Sequence, residues 1–353
     1  MSPNFSDNTN MDTIDFKKLS EQLRSELLRV NGWRKVVRTG SIAVYLFVFC
    51  WFMFVLFGGA LVSYIGLENY MQFTQYIIPV FIGFIVVNFV FTRCMTNFQE
   101  RESEAMQHIM STLFPTVYFS ASSQVDSRIL RDSKLFSTSF SDPALAANTY
   151  GYIQFPHGEH SLHVADIGVS YGLLNKLQYN PVLGYFVMIY RFVLRPLFAS
   201  RLDSSPHNFR GMFAWCKIDK RFKGNIIILP DHLEQKIGYL AKNIQGLKKR
   251  YSARLLQLED QEFENYFAVY ADDEVEARML LTPAMMRHMT ALHQTFGCDI
   301  MLSFSRGTFY YAAVMPSGFL CVRPSALNDG KLLEDIYNDI SLSCKVAEEL
   351  RLN

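Results

Sequence analysis

Four acidic residues lie close enough in the sequence to suggest a cation site: Asp272, Asp273, Glu274 and Glu276. Carboxylate oxygens are the preferred ligands of hard divalent cations. Asp273 and Glu276 also match a capping pattern, in which the first residue accepts hydrogen bonds from free amides at the start of a helix. Acidic residues are stabilised there without any metal. We interpret Asp273 as a helix cap, and a hydrolytic site at Asp272 and Asp273 is the alternative.

Three histidines, His157, His160 and His163, are spaced by three residues around the turn Pro156-His157-Gly158. On a strand this spacing places neighbouring side chains on opposite faces, so they would not converge on a metal. We interpret them as surface residues near a turn. The sequence contains no Walker loop, GxSxG, GxGxxG or HExxH motif. Cys216 is expected in the core. No catalytic residue, metal or cofactor is predicted, which favours a non-enzymatic protein.

The elements that must position these residues follow a long apolar stretch. Residues 42–67 and 73–91 contain no charged side chain, and only Glu68, Asn69 and Tyr70 form a polar break between them. A helix needs about 20 apolar residues to cross a bilayer, and in lipid both runs must be helical. The sequence therefore predicts a transmembrane helical hairpin over residues 42–91.

Positive charge flanks this hairpin on both outer sides. Arg34, Lys35 and Arg38 precede the first run and Arg93 follows the second, whereas the turn between the runs has no lysine or arginine. Cytoplasmic flanks carry the excess of positive charge. Both termini are therefore expected in the cytoplasm, where the scattered cysteines would remain reduced.

The segments on either side of the hairpin have helical periodicity. In residues 1–41 a polar tail precedes an amphipathic helix, which is expected to end near Asn31-Gly32. Residues 92–115 continue the second run as a helical stalk that ends at Pro115. The rest of the chain, residues 116–353, has the pattern of a cytoplasmic α+β domain of antiparallel strands and helices.

Within this domain, short apolar runs and turn signals locate the elements. Strands are predicted at 117–120, 150–155, 161–169, 212–218, 225–229, 254–258, 267–271, 301–305, 308–314 and 319–322, and residues 142–148 are predicted as a loop. Helices are predicted at 125–135, from Asp231 with a basic face, from Asp273, from Thr282-Pro283 to Gly297, and at 331–350.

Residues 181–198 are apolar but contain Arg191 and Arg195, one helical turn apart. Each mid-membrane arginine costs about 2.5–3.5 kcal/mol, so a third span is not expected. One interpretation is a helix on the bilayer surface, with Tyr185 and Tyr190 in the interface and the arginines at anionic head groups. The other is a buried helix or loop of the α+β domain.

The C-terminal half resembles a known family. The segments that carry the resemblance are Phe209-Arg210-Gly211-Met212-Phe213, Phe222-Lys223-Gly224, Leu229-Pro230-Asp231, Val269-Tyr270-Ala271-Asp272-Asp273, Val275-Glu276-Ala277-Arg278, Leu281-Thr282-Pro283 and Leu302-Ser303-Phe304. They are similar to a bacterial family of membrane-anchored proteins catalogued as domain of unknown function 3137. The resemblance implies a bacterial origin and a shared fold, and it supplies no catalytic residue. Together with the predicted hairpin, it leads us to expect a location at the bacterial inner membrane.

Three functions are compatible with these features. The first is a membrane-anchored binding or scaffolding module with a protein partner, and the second is a lipid- or small-molecule-binding domain at the membrane surface. The third is a hydrolase with an acidic site. The formal net charge of +1 argues against a nucleic-acid binder. The expected partners are the lipid bilayer, anionic lipid and an unidentified protein.

Overall fold

The computed structural model describes residues 16–57, 77–115, 117–136, 146–157, 160–170, 183–190, 209–218, 224–230, 254–316, 318–322 and 333–338, with isolated positions between them. The chain divides into two compact units. The first consists of Met1–Glu21, Gln107–Gly172 and His207–Asn353, and the second of Gln22–Met106 and Leu173–Pro206.

The first unit is built on one antiparallel sheet, to which the described residues contribute nine strands in the order β1-β2-β3-β4-β9-β8-β5-β7-β6. The strands are β1 (Tyr118–Ser120), β2 (Ala146–His157), β3 (His160–Ser170), β4 (Phe209–Lys217), β5 (Asn225–Pro230), β6 (Arg254–Leu256), β7 (Phe267–Ala271), β8 (Ile300–Ser305) and β9 (Thr308–Val314). The predicted α+β class, with antiparallel strands and helices, is confirmed.

Helices occur in both units, whereas the described strands all belong to the first. In chain order they are α1 (Phe16–Leu56), α2 (Ile77–Leu113), α3 (Ser127–Asp132), α4 (Leu183–Ile189), α5 (Gln261–Glu264), α6 (Glu274–Leu280) and α7 (Pro283–Phe296). A further helical stretch covers residues 333–338. Leu333, Ile336 and Ile340 are fully buried, as the helical pattern of residues 331–350 predicts.

The central strands are buried on both faces of the sheet. All six residues of β8 are buried, as are five of the six residues of β5. On one face, a hydrophobic core forms around the aromatic rings of Phe136, Phe213 and Tyr270. Strands buried on both faces have continuous apolar runs rather than strict alternation. These strands are therefore recognised in the sequence by the length of the apolar run and by the turn residues on either side, and not by alternation of apolar and polar residues.

Local signals predict several element boundaries correctly. Thr282 caps α7, Pro283 is its first residue, and Gly297 ends it in the left-handed conformation at φ 58°. The β8–β9 hairpin turns at Arg306 and Gly307, whose φ angles of 52° and 71° are both positive. Two positive φ angles are typical of the type I′ turn, whose twist matches that of a hairpin.

Two predictions in the sheet are wrong, and the strand order does not follow the order in the chain. Residues 319–322 form no strand, although Phe319, Leu320 and Val322 are buried. The predicted loop at 142–148 is too long because β2 already begins at Ala146, where pairing with β3 overrides weak strand propensity. Finally, β4 and β5 are consecutive in the chain, but β9 and β8 lie between them in the sheet.

The second unit contains α4 and most of α1 and α2. Helix α1 does not end near Asn31-Gly32 as predicted, but continues to Leu56. Its buried stripe, which includes Leu27 and Val30, extends past the glycine to Val37. A glycine inside a helix costs about 1 kcal/mol, which the packing of this stripe outweighs.

Helices α1 and α2 form an antiparallel pair. Arg34 Nη2 lies 3.0 Å from Glu102 Oε1, and the guanidinium of Arg101 lies 5.8 Å from the centre of the Trp33 ring. About two turns further along α1, a Cβ atom on Gly40 would lie 2.7 Å from Phe91 Cε2. The glycine therefore allows a close approach of the two helices at Phe91.

The predicted hairpin over residues 42–91 lies partly outside the described residues, including its turn at 68–70. Among the residues described, no helix has both the length and the apolar character that a membrane crossing requires. The end of α2 at Leu113 agrees with the predicted end of the stalk at Pro115. The polar tail before Phe16 and the basic helix from Asp231 lie outside the described residues.

Candidate functional site

The most deeply buried charge in the described sheet belongs to Asp166, at the centre of β3. Its side chain is fully buried, and it forms an ion pair with Arg210 of the neighbouring strand β4. Arg210 Nη1 donates to Oδ1 at 2.6 Å and Nη2 donates to Oδ2 at 2.9 Å. A two-pronged pair of this kind fixes both side chains in one orientation.

A loop after β9 completes the shell of donors around Asp166. The backbone N–H groups of Phe319 and Leu320 donate to Asp166 Oδ2 at 3.1 and 3.0 Å. Gly318, with φ 86°, occupies the left-handed region, and a Cβ atom there would lie 2.7 Å from Arg210 Nη2. Glycine is therefore required by both backbone conformation and space. The carboxylate thereby holds this loop against the sheet.

Tyr150 covers the guanidinium of Arg210 from the side of β2. The Arg210 Cζ atom lies 3.7 Å from the centre of the tyrosine ring, the distance of a cation–π contact. The pairing of β2 with β3 shifts register between Thr149 and Gly151, which makes Tyr150 the extra residue of a β-bulge. Bulges redirect a side chain out of the regular alternation, and this one places the ring over the arginine.

We call Tyr150, Asp166, Arg210 and the loop 318–321 the Asp166 cluster. Desolvation raises the pKa of the Asp166 carboxyl, while Arg210 and the two backbone N–H groups oppose that shift. Burial also raises the pKa of Tyr150. Four donated hydrogen bonds occupy the carboxylate oxygens, so Asp166 has a structural role and is not poised for acid–base catalysis.

The acidic residues of the predicted cation site hold a second set of backbone contacts. Asp273 Oδ1 accepts hydrogen bonds from the N–H groups of Val275 and Glu276 at 2.8 and 3.1 Å, and Asp273 is the N-cap of α6. The predicted helix cap is therefore confirmed. Glu276 Oε2 accepts from the N–H of Gly224 at 3.1 Å, so this acid also contacts the segment that leads into β5.

Asp272 has a similar role at the start of β5. Its Oδ2 accepts from both the backbone N–H and the side-chain amide of Asn225, at 3.0 and 2.8 Å. Ser305 in turn donates to Asn225 Oδ1 at 2.7 Å. No three His, Cys, Asp or Glu side chains are grouped to hold a metal ion in the described part of the chain. These carboxylates join α6 to the beginning of β5.

His163 belongs to a half-buried aromatic group on the sheet. Its Nδ1 lies 2.6 Å from Tyr152 Oη, and its ring stacks on Trp215 with centroids 5.0 Å apart. Burial lowers the pKa of the His163 imidazole, because the charged form loses solvation. The backbone of β2 and β3 pairs His157 with His160 at the end of the hairpin. His163 is thus a packing residue rather than the loose surface histidine that the sequence predicts.

The predicted membrane-surface residues lie at the edge of the described structure. Tyr190 follows α4 and is 45% exposed. Arg191 and Arg195 lie outside the described residues, as does the side chain of Tyr185. In α4 itself, Val187 is buried and Leu183 is exposed. The contact of residues 181–198 with a bilayer therefore stays a prediction.

Sequence reasoning missed the Asp166 cluster. Arg210 lies in a motif that we used only for the family resemblance, and Asp166 is the only charged residue in the otherwise apolar segment Leu162–Val169, apart from the imidazole of His163. A lone acid inside a predicted core strand was the available signal, because a buried charge needs a partner. The identity of that partner could not be inferred, since it lies 44 residues away.

The fold and cluster define an α+β protein with an antiparallel sheet stabilised by a buried ion pair. Residues 207–352 match a family model described as "Protein of unknown function (DUF3137)". The match includes Arg210 and the loop 318–321, but not Asp166 or Tyr150. The family resemblance predicted from the sequence is thereby confirmed for these residues.

Comparisons with curated proteins and with solved structures identify no relative whose function could be transferred. No curated protein matches the chain. One solved structure, the crystal structure of the mycobacterial trehalose monomycolate transport factor A (TtfA), aligns with 67% of this chain and 94% of its own chain, at 8% identity and a TM-score of 0.33. This likeness is too distant to support a shared function.

We expect the Asp166→Ala change to lower the free energy of unfolding by about 3–5 kcal/mol, because Arg210 would stay buried without its counter-charge. The double change Asp166→Leu with Arg210→Met should lower the free energy of unfolding by less than the sum of the losses caused by Asp166→Leu alone and Arg210→Met alone. Denaturant titration of each variant measures its free energy of unfolding. As a control, Glu274→Gln breaks the exposed pair with Arg278 and should cost below about 1 kcal/mol. Additive effects at Asp166 and Arg210 would contradict the coupling.

At the cap of α6, Asp273→Ala should cost on the order of 1 kcal/mol, whereas Asp273→Asn should keep most of the stability because an amide oxygen can also accept from the free N–H groups. Melting curves with and without divalent cations check this expectation. A cation-dependent rise in melting temperature that both variants abolish would instead indicate a metal ligand.

For His163, the unfolded state binds a proton more readily than the folded state, because burial lowers the folded-state pKa. Stability should therefore fall as the pH drops below about 6.5, the ordinary histidine pKa, and this loss should end below the folded-state value. Unfolding midpoints at about pH 7.5 and pH 5.5 should differ more for the unmodified protein than for His163→Gln. The Met279→Gln change, at an exposed residue that does not titrate, is the control and should leave the difference intact.

Proposed function

We propose that this protein is a non-enzymatic binding module held at the bacterial inner membrane by α1 and α2. The observation that carries the proposal is a band of exposed, large apolar side chains on these two helices. On α2, Ile82, Val86, Val87, Phe89 and Val90 are each more than half exposed, between 55% and 62%. Contiguous apolar surface of this kind marks a membrane or protein contact.

The corresponding part of α1 has the same character. Ile42, Leu46 and Phe47 are 42%, 47% and 37% exposed. The antiparallel arrangement of the helices, which meet at Gly40 and Phe91, places both apolar segments on the same side of this contact. Within residues 42–67 and 73–91 there is no charged residue. These features support a lipid bilayer as the medium that covers the band.

A binding role is favoured over catalysis by the roles of the polar residues. The carboxylates of Asp166, Asp272 and Asp273 all accept hydrogen bonds from backbone N–H groups, which gives each of them a structural task. The sheet thus forms a stable platform, which we propose lies in the cytoplasm, as the positive flanks of the helices favour. Its partner in this proposal is a protein that is recruited to the membrane.

Membrane fractionation of the full chain tests the anchor. We expect the protein to stay with the membranes through high salt and alkaline carbonate and to be released by detergent only. The double change Val86→Arg with Val87→Arg should release it, because each arginine costs about 2.5–3.5 kcal/mol in the bilayer centre.

The matched control is Val275→Arg with Met279→Arg, which alters two exposed apolar side chains of α6. It should leave the membrane association unchanged. Release of the unmodified chain by carbonate would overturn the anchor. A phosphatase fused at residue 353 should be inactive and a fluorescent protein there should fluoresce, since both report a cytoplasmic C-terminus. The reverse result would overturn the orientation.

A further inference from the structure

Three exposed cations lie where the exposed apolar band of α1 and α2 begins. We propose that Lys35, Arg38 and Arg93 form a ring of positive charge around the helix pair that attracts the phosphate head groups of anionic phospholipids. We call these three residues the basic collar. The proposal rests on the membrane anchor proposed above and names the lipid class that surrounds it.

The contacts between the helices place Arg38 and Arg93 at one level along the pair, on its outer sides. Gly40 of α1 and Phe91 of α2 are in contact, and the two helices are antiparallel. Moving two residues away from this contact, backwards along α1 and forwards along α2, leads to Arg38 and Arg93 in the same direction. Each lies about 3 Å from the contact along the helix axis, and Lys35 lies about one turn further.

The collar cations are available for an external anion, whereas their neighbours are engaged within the helical pair. Arg34 forms an ion pair with Glu102, and the guanidinium of Arg101 lies over the Trp33 ring. Lys35, Arg38 and Arg93 are exposed. Among the described residues, none of these three has an acidic partner, and Arg93 lies 5.7 Å from the centre of the Phe89 ring.

The charge of the surrounding sequence matches an anionic partner. Between residues 27 and 99 the chain contains five lysines and arginines and one acidic residue, Glu68, and of these cations Arg34 is paired with Glu102. Lysine and arginine side chains near a membrane attract anionic lipids, and the attraction decreases within a Debye length. The three collar cations next to the apolar band therefore favour a negatively charged head group over a zwitterionic one.

The collar lies directly beside the exposed apolar band, and this favours a lipid over a free phosphate ion as its ligand. Ile42 is one helical turn from Arg38, and Phe89 and Val90 are about one turn from Arg93 on the side of the band. The Phe89 ring contacts Arg93 and belongs to the exposed apolar band, so the cation and the band are continuous at this point. A lipid can place its phosphate at the collar and its acyl chains along the band at the same time.

The test is a titration of the full chain in nonionic detergent with fluorescent phosphatidylglycerol and, separately, phosphatidylcholine. We expect phosphatidylglycerol to bind more tightly by about tenfold or more, and added salt to reduce the difference. The triple change K35Q/R38Q/R93Q should weaken phosphatidylglycerol binding by well over tenfold, because the contribution of each cation is about threefold to fivefold and these factors multiply. It should leave phosphatidylcholine binding unchanged.

The matched control is K17Q/R24Q/R29Q, which removes three exposed cations of α1 outside the collar. It should change phosphatidylglycerol binding by less than about twofold if the collar is specific. Circular dichroism measures the helical content of each variant. If the triple collar variant loses helical content, the single variants R38Q and R93Q are used instead, and each should weaken phosphatidylglycerol binding by about threefold to fivefold. Equal binding of both lipids by the unmodified chain, or an equal loss in collar and control variants, would overturn the collar.

A third arm separates a lipid from a free ion. Inorganic phosphate at the concentration of the lipid should not displace the bound probe, and displacement would overturn the lipid assignment. Carbonate extraction of the triple collar variant distinguishes failure of the collar from failure of the membrane anchor. A chain that stays in the membrane but has no lipid preference contradicts the collar alone, whereas a chain that carbonate releases contradicts the anchor.

Discussion

The charge of Asp166 imposes a requirement on the surrounding sheet. Removing a carboxylate from water costs several kcal/mol, and the charge is tolerated only when donors replace the lost solvent. Here the donors come from β4 and from the loop after β9, and an aromatic ring from β2 covers the guanidinium. Segments that are distant in the sequence therefore have to reach their positions together, because none of the donors is sufficient alone.

Glycines make this arrangement sterically possible. Gly211 follows Arg210, and a Cβ atom there would clash with the carbonyl oxygen of Ala313 and lie 2.6 Å from Met315 N. The N–H of Met315 donates to the carbonyl of Arg210 at 2.9 Å, at the point where β9 ends. The pair Arg210-Gly211 thus combines a charge for Asp166 with a backbone that another strand can approach closely. This gives a physical reason for the two residues within the family-matched segment.

Features that depend on neighbouring residues could be predicted from the sequence, and those that depend on distant residues could not. Caps and turns are determined within three or four positions, so Asp273, Thr282 and Gly297 were identified correctly. The partner of Asp166 and the strand order depend on contacts across 44 to about 150 residues. Gly32 shows the same limit, because its local preference to end a helix is overridden by packing with residues far along the chain.

The order of strands also has a consequence for synthesis of the protein on the ribosome. Strands β2 and β3 form a hairpin and can pair as soon as both have emerged. Strand β4 has to wait for β9, because Gly211 pairs with Val314 across about 100 residues. Until then its second edge offers unpaired backbone groups to other chains. The growing chain is therefore exposed to misassembly and to chaperones for the time needed to translate those residues, and contacts over such a long separation also slow folding.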